Sequence, residues 1–106
     1  MNVNYENKDQ VLTLEAAGKI DSGNANEWEQ AINEIVNKES FEELIMDADK
    51  LDYISSAGLR VILRLRKDNE SLNIVNVNSD VYEILDMTGF TEIVDIQKAY
   101  RNISVE

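Results

Sequence analysis

The feature that most restricts how this chain folds is a regular exchange between two hydrophobic periods. Apolar residues recur at helical spacing over Ala25, Trp28, Ala31, Ile32, Ile35 and Val36, again over Leu59, Val61, Ile62, Leu63 and Leu65, and again over Val81, Ile84 and Leu85. Between these segments stand short apolar runs of strand length: Leu44-Ile45-Met46, then Leu72 to Val77, then Ile93 to Ile96. Helices that alternate with strands serve as crossovers between parallel strands. The start of the chain differs. Val3 and Tyr5, then Leu12, Leu14 and Ala16, alternate on either side of the polar turn Asn7-Lys8-Asp9, the pattern of an antiparallel hairpin of half-buried strands. The pattern predicts an α/β fold: a mixed, mostly parallel sheet of about five strands, with an N-terminal antiparallel hairpin and about three or four helices.

Local signals add detail. Asn24 followed by Glu27 has the form of an N-cap with a reciprocal carboxylate, opening the first helix. Leu44-Ile45-Met46 is continuous, which suits a central strand buried on both faces. Ser79 is placed to cap the third helix and Gly89 to end it, and Trp28 on the first helix reads as core. The closing stretch from Gln97 to Glu106 fits a strand extension, a half helix, or a lead into further chain. At 106 residues, one domain over 1–106 is expected.

Composition excludes several functions. The chain has no cysteine and no histidine, so a disulfide, a thiolate metal site and the commonest general base are all missing; an enzyme is not expected. Asp and Glu number 21 against 10 Lys and Arg, and a net charge of -11 repels phosphate backbones and anionic lipid, so neither nucleic acid nor membrane is an expected partner. No apolar segment approaches the roughly 20 residues of a membrane span, and the start "MNVNYENKDQ" has no signal-peptide character, so a cytoplasmic protein is expected. Gly18, Gly23 and Gly58 form no nucleotide-binding fingerprint, and Asp47, Asp49 and Asp52 lack the spacing of a calcium loop. They read as a solvated acidic loop; no cofactor and no metal are expected.

The segment "DKLDYISSAGLR", Asp49 to Arg60, sets two adjacent hydroxyls where the loop after the central strand turns into the second helix. The first N–H groups of a helix lack internal partners, and a serine oxygen that accepts one stabilises the helix by about 1 kcal/mol. Sites in open α/β sheets also gather at the carboxyl ends of parallel strands, and a helix start, with its partial positive charge, tolerates an added phosphate. Capping and modification therefore both stand as readings of Ser55 and Ser56. Tyr53 beside them reads equally as a partner anchor or as a lid on the core. Asp21, Asp47, Asp49 and Asp52 are expected to cluster at the same rim, with Met87 and Phe90 near it. Arg60, one helical turn beyond Ser56, is placed to pair with a phosphate, although by spacing alone it is an ordinary exposed arginine.

From about Val11 to Ile96 the chain resembles a STAS domain of the bacterial anti-sigma factor antagonist family. The resemblance is carried by "LIMDADKLDYISSAGLRVIL" at Leu44 to Leu63, with "GKID" at Gly18 to Asp21 and "DMTGFTEIVDI" at Asp86 to Ile96. In that family the loop commonly reads apolar, Asp, Ser, Ser or Thr, Gly, Leu, and the serine after the Asp is phosphorylated by a kinase that is also an anti-sigma factor. This chain has Ser55 in place of that Asp and Ala57 in place of the second Ser or Thr. The resemblance implies phosphorylation at Ser56, with Ser55 as second choice, and a partner-binding surface of Asp21, Tyr53, Ser55, Ser56, Ala57, Gly58 and Arg60. The implied partner is an anti-sigma factor serine kinase, bound by the unphosphorylated form and released on phosphorylation, in regulation of transcription through a sigma factor. A monomer or weak dimer is expected. An alternative is a constitutive STAS scaffold, or the N-terminal regulatory part of a longer kinase-like or sensor protein.

Overall fold

The computed structural model describes residues 1–99. Its elements are β1 (Tyr5–Lys8), β2 (Val11–Ile20), α1 (Ala25–Lys38), β3 (Glu43–Ile54), α2 (Ser56–Asp68), β4 (Asn73–Val77), α3 (Ser79–Met87), a 3-10 turn over Phe90–Glu92, and β5 (Asp95–Lys98). The sheet runs β1-β2-β3-β4-β5, with β1 antiparallel to β2 and the remaining neighbours parallel. This is the mixed sheet that the alternating periods predict.

Each parallel crossover moves one strand further in the same direction, and such crossovers are right-handed, so all three helices lie on one face of the sheet. Burial follows that geometry. Leu12, Leu14, Ala16, Leu44, Met46, Ala48 and Ile74 are buried against Trp28, Ile32, Ile62, Leu65, Val81 and Leu85, whereas the alternate residues Thr13, Glu15, Ile45, Asp47 and Val75 are only partly covered. The expectation of a strand buried on both faces at Leu44-Ile45-Met46 is therefore corrected: Ile45 faces the side that carries no helix.

The hairpin turn lies at Asp9 and Gln10, both left-handed with φ of 54° and 66°, and not at Asn7-Lys8-Asp9. That is the conformation a two-residue hairpin needs to match strand twist. All of β1 is exposed, so it is an edge strand and not half-buried. The Asn7 amide ties it to the end of α1 by donating to a Glu39 carboxylate oxygen (2.9 Å) and to the Ser40 carbonyl (3.0 Å). Two caps differ from expectation. Asn24 is the N-cap residue of α1, its carbonyl accepting from the Trp28 N–H (2.9 Å), but its side chain bonds no helix N–H; it turns backward, accepting from the Asp21 N–H (2.9 Å) and donating to the Lys19 carbonyl (2.8 Å). The cap of α3 is Asn78, one residue before Ser79: its oxygen accepts from the Val81 N–H (2.8 Å), while its amide donates to the Leu51 carbonyl (2.9 Å). Gly89 follows α3 in a left-handed conformation. Gln97 and Lys98 extend β5, and residues 100–106 of the closing stretch lie outside the described residues.

The feature that positions the site is the length of β3. Its pairing with β2 steps from Glu15↔Asp47 to Ala17↔Lys50, then from Gly18↔Leu51 to Lys19↔Tyr53, so β3 holds one extra residue at each step. These are two β-bulges. Each returns an apolar residue inward, so Leu51 and Ile54 are buried although Asp49-Lys50 and Asp52-Tyr53 are both exposed pairs. At the first bulge the Asp47 carboxylate accepts from the Asp49 N–H and from the Asn76 amide, each at 3.0 Å. Opposite the second, Gly18 has φ 73° with open space where a Cβ would stand, so glycine is used there for backbone conformation. The stretch expected to be an acidic loop is thus strand, its period of two broken twice.

α1 and α2 are joined by a bidentate pair, Arg64 Nε and Nη2 donating to Glu29 at 2.7 and 2.9 Å. These bonds, helped by the guanidinium charge and opposed by partial burial, hold the Glu29 carboxyl below the usual carboxylate value. A depressed folded-state pKa contributes stability that is present above the unfolded-state pKa and lost as pH falls through the folded one. Glu29→Gln should therefore lower the thermal midpoint modestly at pH 7, as expected of a surface pair. Melting curves of both proteins should converge as the pH is lowered below the carboxylate range.

Candidate functional site at the start of the second helix

Ile54 pairs with Ile20 at the end of the β2–β3 ladder, and the Ser55 N–H extends that ladder by donating to the Ile20 carbonyl at 2.8 Å. The chain then turns into α2. Ser55, with φ -91° and ψ 176°, is the N-cap: its carbonyl accepts from the Leu59 N–H (2.9 Å), and its hydroxyl accepts from the Gly58 N–H at a long 3.4 Å. Ser56 is the first helical residue, and it is exposed. Among the described residues its hydroxyl has no hydrogen-bond partner. The two adjacent hydroxyls are therefore in different situations, one half-buried and engaged, the other open to water.

Gly58 explains how closely the helix start approaches the sheet. A Cβ built on it would lie 2.6 Å from Ile54 Cγ1 and 2.9 Å from Ile20 Cγ2, distances that side chains do not tolerate. Gly58 is buried beneath the turn and not on its surface, and Ala57 is half-buried beside it. Ile20 and Ile54 form the floor of the site, a role that neither residue announces in the sequence.

Asp21 directly follows Ile20, so it lies next to the serine turn. Its carboxylate accepts from the N–H groups of Gly23 (2.9 Å) and Asn24 (3.2 Å), which with the backward turn of the Asn24 side chain shapes this loop. Tyr53 is 44% exposed, and Arg60 is exposed one turn along α2 from Ser56. The structure thus brings Asp21, Tyr53, Ser55, Ser56, Ala57 and Arg60 to one end of the sheet. The acidic rim is corrected: Asp47 pairs with Glu15 and Val75 in mid-sheet, and at about 3.3 Å per residue it lies on the order of 20 Å from the serines, with Asp49 and Asp52 strung between. Among the described residues, no cluster of carboxylates suited to a metal forms there. Met87 and Phe90 are also elsewhere. α3 runs back from the carboxyl ends of the strands, so its last turn lies at the opposite end of the domain, with Met87 79% exposed and Phe90 in the core.

The STAS domain family model matches residues 2–104, and the chain belongs to that family. It is 32% identical over 97 residues to BtrV of Bordetella bronchiseptica, which is named as an anti-sigma factor antagonist; the match covers 88% of this chain and 83% of BtrV. The crystal structure of TM1081 from Thermotoga maritima, described as an anti-sigma factor antagonist, superposes with a TM-score of 0.80 at 24% identity, covering 91% of this chain and 86% of that one. SpoIIAA of Bacillus shares the fold in its unphosphorylated form (TM-score 0.71, 13% identity, 89% and 86% covered) and in its phosphorylated form (0.64, 12%, 89% and 89%). Among the described residues, no helix is long and apolar enough to cross a membrane.

Substitutions separate the parts of this site. Ser55→Ala should cost about 0.5–1 kcal/mol through the lost cap, whereas Ser56→Ala should stay within about 0.5 kcal/mol of wild type in urea denaturation. Gly58→Ala should cost about 1–3 kcal/mol, because the overlap with Ile54 and Ile20 outweighs the gain of about 1 kcal/mol that alanine brings to a helix.

Proposed function

We propose that this chain is an anti-sigma factor antagonist switched at Ser56: unphosphorylated, it binds a serine kinase that is itself an anti-sigma factor, and phosphorylated, it does not. The observation that carries this reading is the open Ser56 hydroxyl at the start of α2, beside a neighbour whose hydroxyl is already engaged as the cap. A kinase can reach it, and the added phosphate meets the positive end of a helix and leaves the fold intact. The same end presents Asp21, Tyr53, Ala57 and Arg60 as contact surface around the turn, with Gly58 setting its shape from below. A partner covering this surface has to desolvate it, and a dianion that the partner cannot pair makes that costly. Kinship with BtrV and the fold shared with both forms of SpoIIAA support the reading.

In this role the chain works in the cytoplasm and catalyses nothing. Ser56 is a substrate and not a nucleophile, in keeping with a sequence that has no histidine or cysteine to activate it. A second reading, a constitutive STAS scaffold or the regulatory part of a larger protein, is favoured by Ser55 and Ala57, which replace the family's Asp and second Ser or Thr.

The test is incubation with ATP and each anti-sigma-type serine kinase from the same genome, followed by peptide mass analysis and binding measurements. One phosphate on Ser56, absent from Ser56→Ala, with binding lost on phosphorylation, is the expected result. A kinase that binds without modifying the chain would establish the scaffold instead.

A further inference from the structure

We infer that the outer face of α2 docks onto an acidic patch of the partner protein, and that a phosphate on Ser56 acts by neutralising the head of this basic face. The inference rests on the Ser56 switch proposed above.

At about 100° per helical residue, Ser56, Arg60, Leu63 and Lys67 fall on one line along α2, opposite the buried Val61, Ile62 and Leu65. All four are exposed, Leu63 to 45%. In a chain with 21 acidic and 10 basic residues, this one helix holds four of the ten, Arg60, Arg64, Arg66 and Lys67, and its sole carboxylate is the last residue, Asp68. The flanking helices have the opposite character. α1 exposes Glu27 and Glu34, and α3 exposes Asp80, Glu83 and Asp86 without a single Lys or Arg. Arg64 is held by Glu29, while Arg60 and Lys67 have no ion-pair partner among the described residues. α2 is thus a basic ridge with one apolar residue at its centre, set between acidic helices.

A ridge of this kind fits a protein surface. The net charge of -11 opposes the long-range approach of a bilayer or a nucleic acid, and one exposed leucine gives no purchase on lipid. Against a protein it supplies an apolar contact at Leu63 ringed by cations, which steer and orient an acidic patch. A phosphate on Ser56 brings about -1.5 to -2 charges one turn from Arg60, within reach of a pair across that turn. It takes Arg60 away from the partner and sets its remaining charge against the partner's carboxylates.

The test uses the serine kinase identified by phosphorylation of this chain, with association and dissociation rates measured at low and high salt. Arg60→Glu and Lys67→Glu should each slow association about tenfold at low salt, and the difference should shrink at high salt. Leu63→Ala should speed dissociation, and Lys8→Glu, on the distant hairpin, should change nothing. All four positions are exposed, and thermal melts confirm that each variant is folded. Binding within twofold of wild type for all three α2 variants, or stronger binding on charge reversal, overturns the docking face; if phosphorylation still releases the kinase, the Ser56 switch survives. A wild-type chain whose binding ignores phosphorylation overturns both.

Discussion

The arrangement depends on one close approach. The first turn of α2 rests directly on the ends of β2 and β3, and only glycine at position 58 leaves room for Ile20 and Ile54 beneath it. That contact fixes the height and direction of the helix start. Ser55 then continues the sheet ladder through its N–H and caps the helix through its hydroxyl, while Ser56 is turned outward. The division between the two serines follows from where the backbone is clamped, not from any difference in their chemistry.

The clamp in turn needs β3 to arrive with Ile54 pointing inward. Without bulges, a strand that buries Leu44, Met46 and Ala48 would next bury residues 50, 52 and 54, two of which here are Lys50 and Asp52. Two extra residues in β3 shift the inward set to Leu51 and then Ile54, and the carboxylate of Asp47 and the conformational freedom of Gly18 sustain those irregularities. The two shifts cancel, so Ile54 faces inward as it would in a regular strand, and what the bulges change is that Leu51 is buried in place of Lys50 and Asp52.

This layering explains what could be read from the sequence. The exchange of helical and strand periods is a property of single segments, so the α/β order and the hairpin were legible, as was a pair of serines ahead of a helical pattern. The turn at Asp9-Gln10 was not, because two non-glycine residues adopt the left-handed conformation there. The extent of β3 was hidden by its bulges, which erase the alternation that marks a strand. The floor under Gly58 joins residues distant in sequence, and the position of Met87 depends on the direction in which α3 crosses the sheet, so neither is visible in a local window. Asn24 and Asn78 differed from expectation for a smaller reason: several polar residues at a helix start compete for the same N–H groups, and tertiary partners such as the Lys19 and Leu51 carbonyls decide among them.

The exposed hairpin strand bears on a different question. β1 presents Tyr5, Glu6, Asn7 and Lys8 at the rim of the sheet, and a strand margin of this kind invites another chain to add itself there. The charges on Glu6 and Lys8 and the overall negative charge discourage that stacking. Resistance to self-association through the sheet margin is thus written into two charged side chains of the outermost strand.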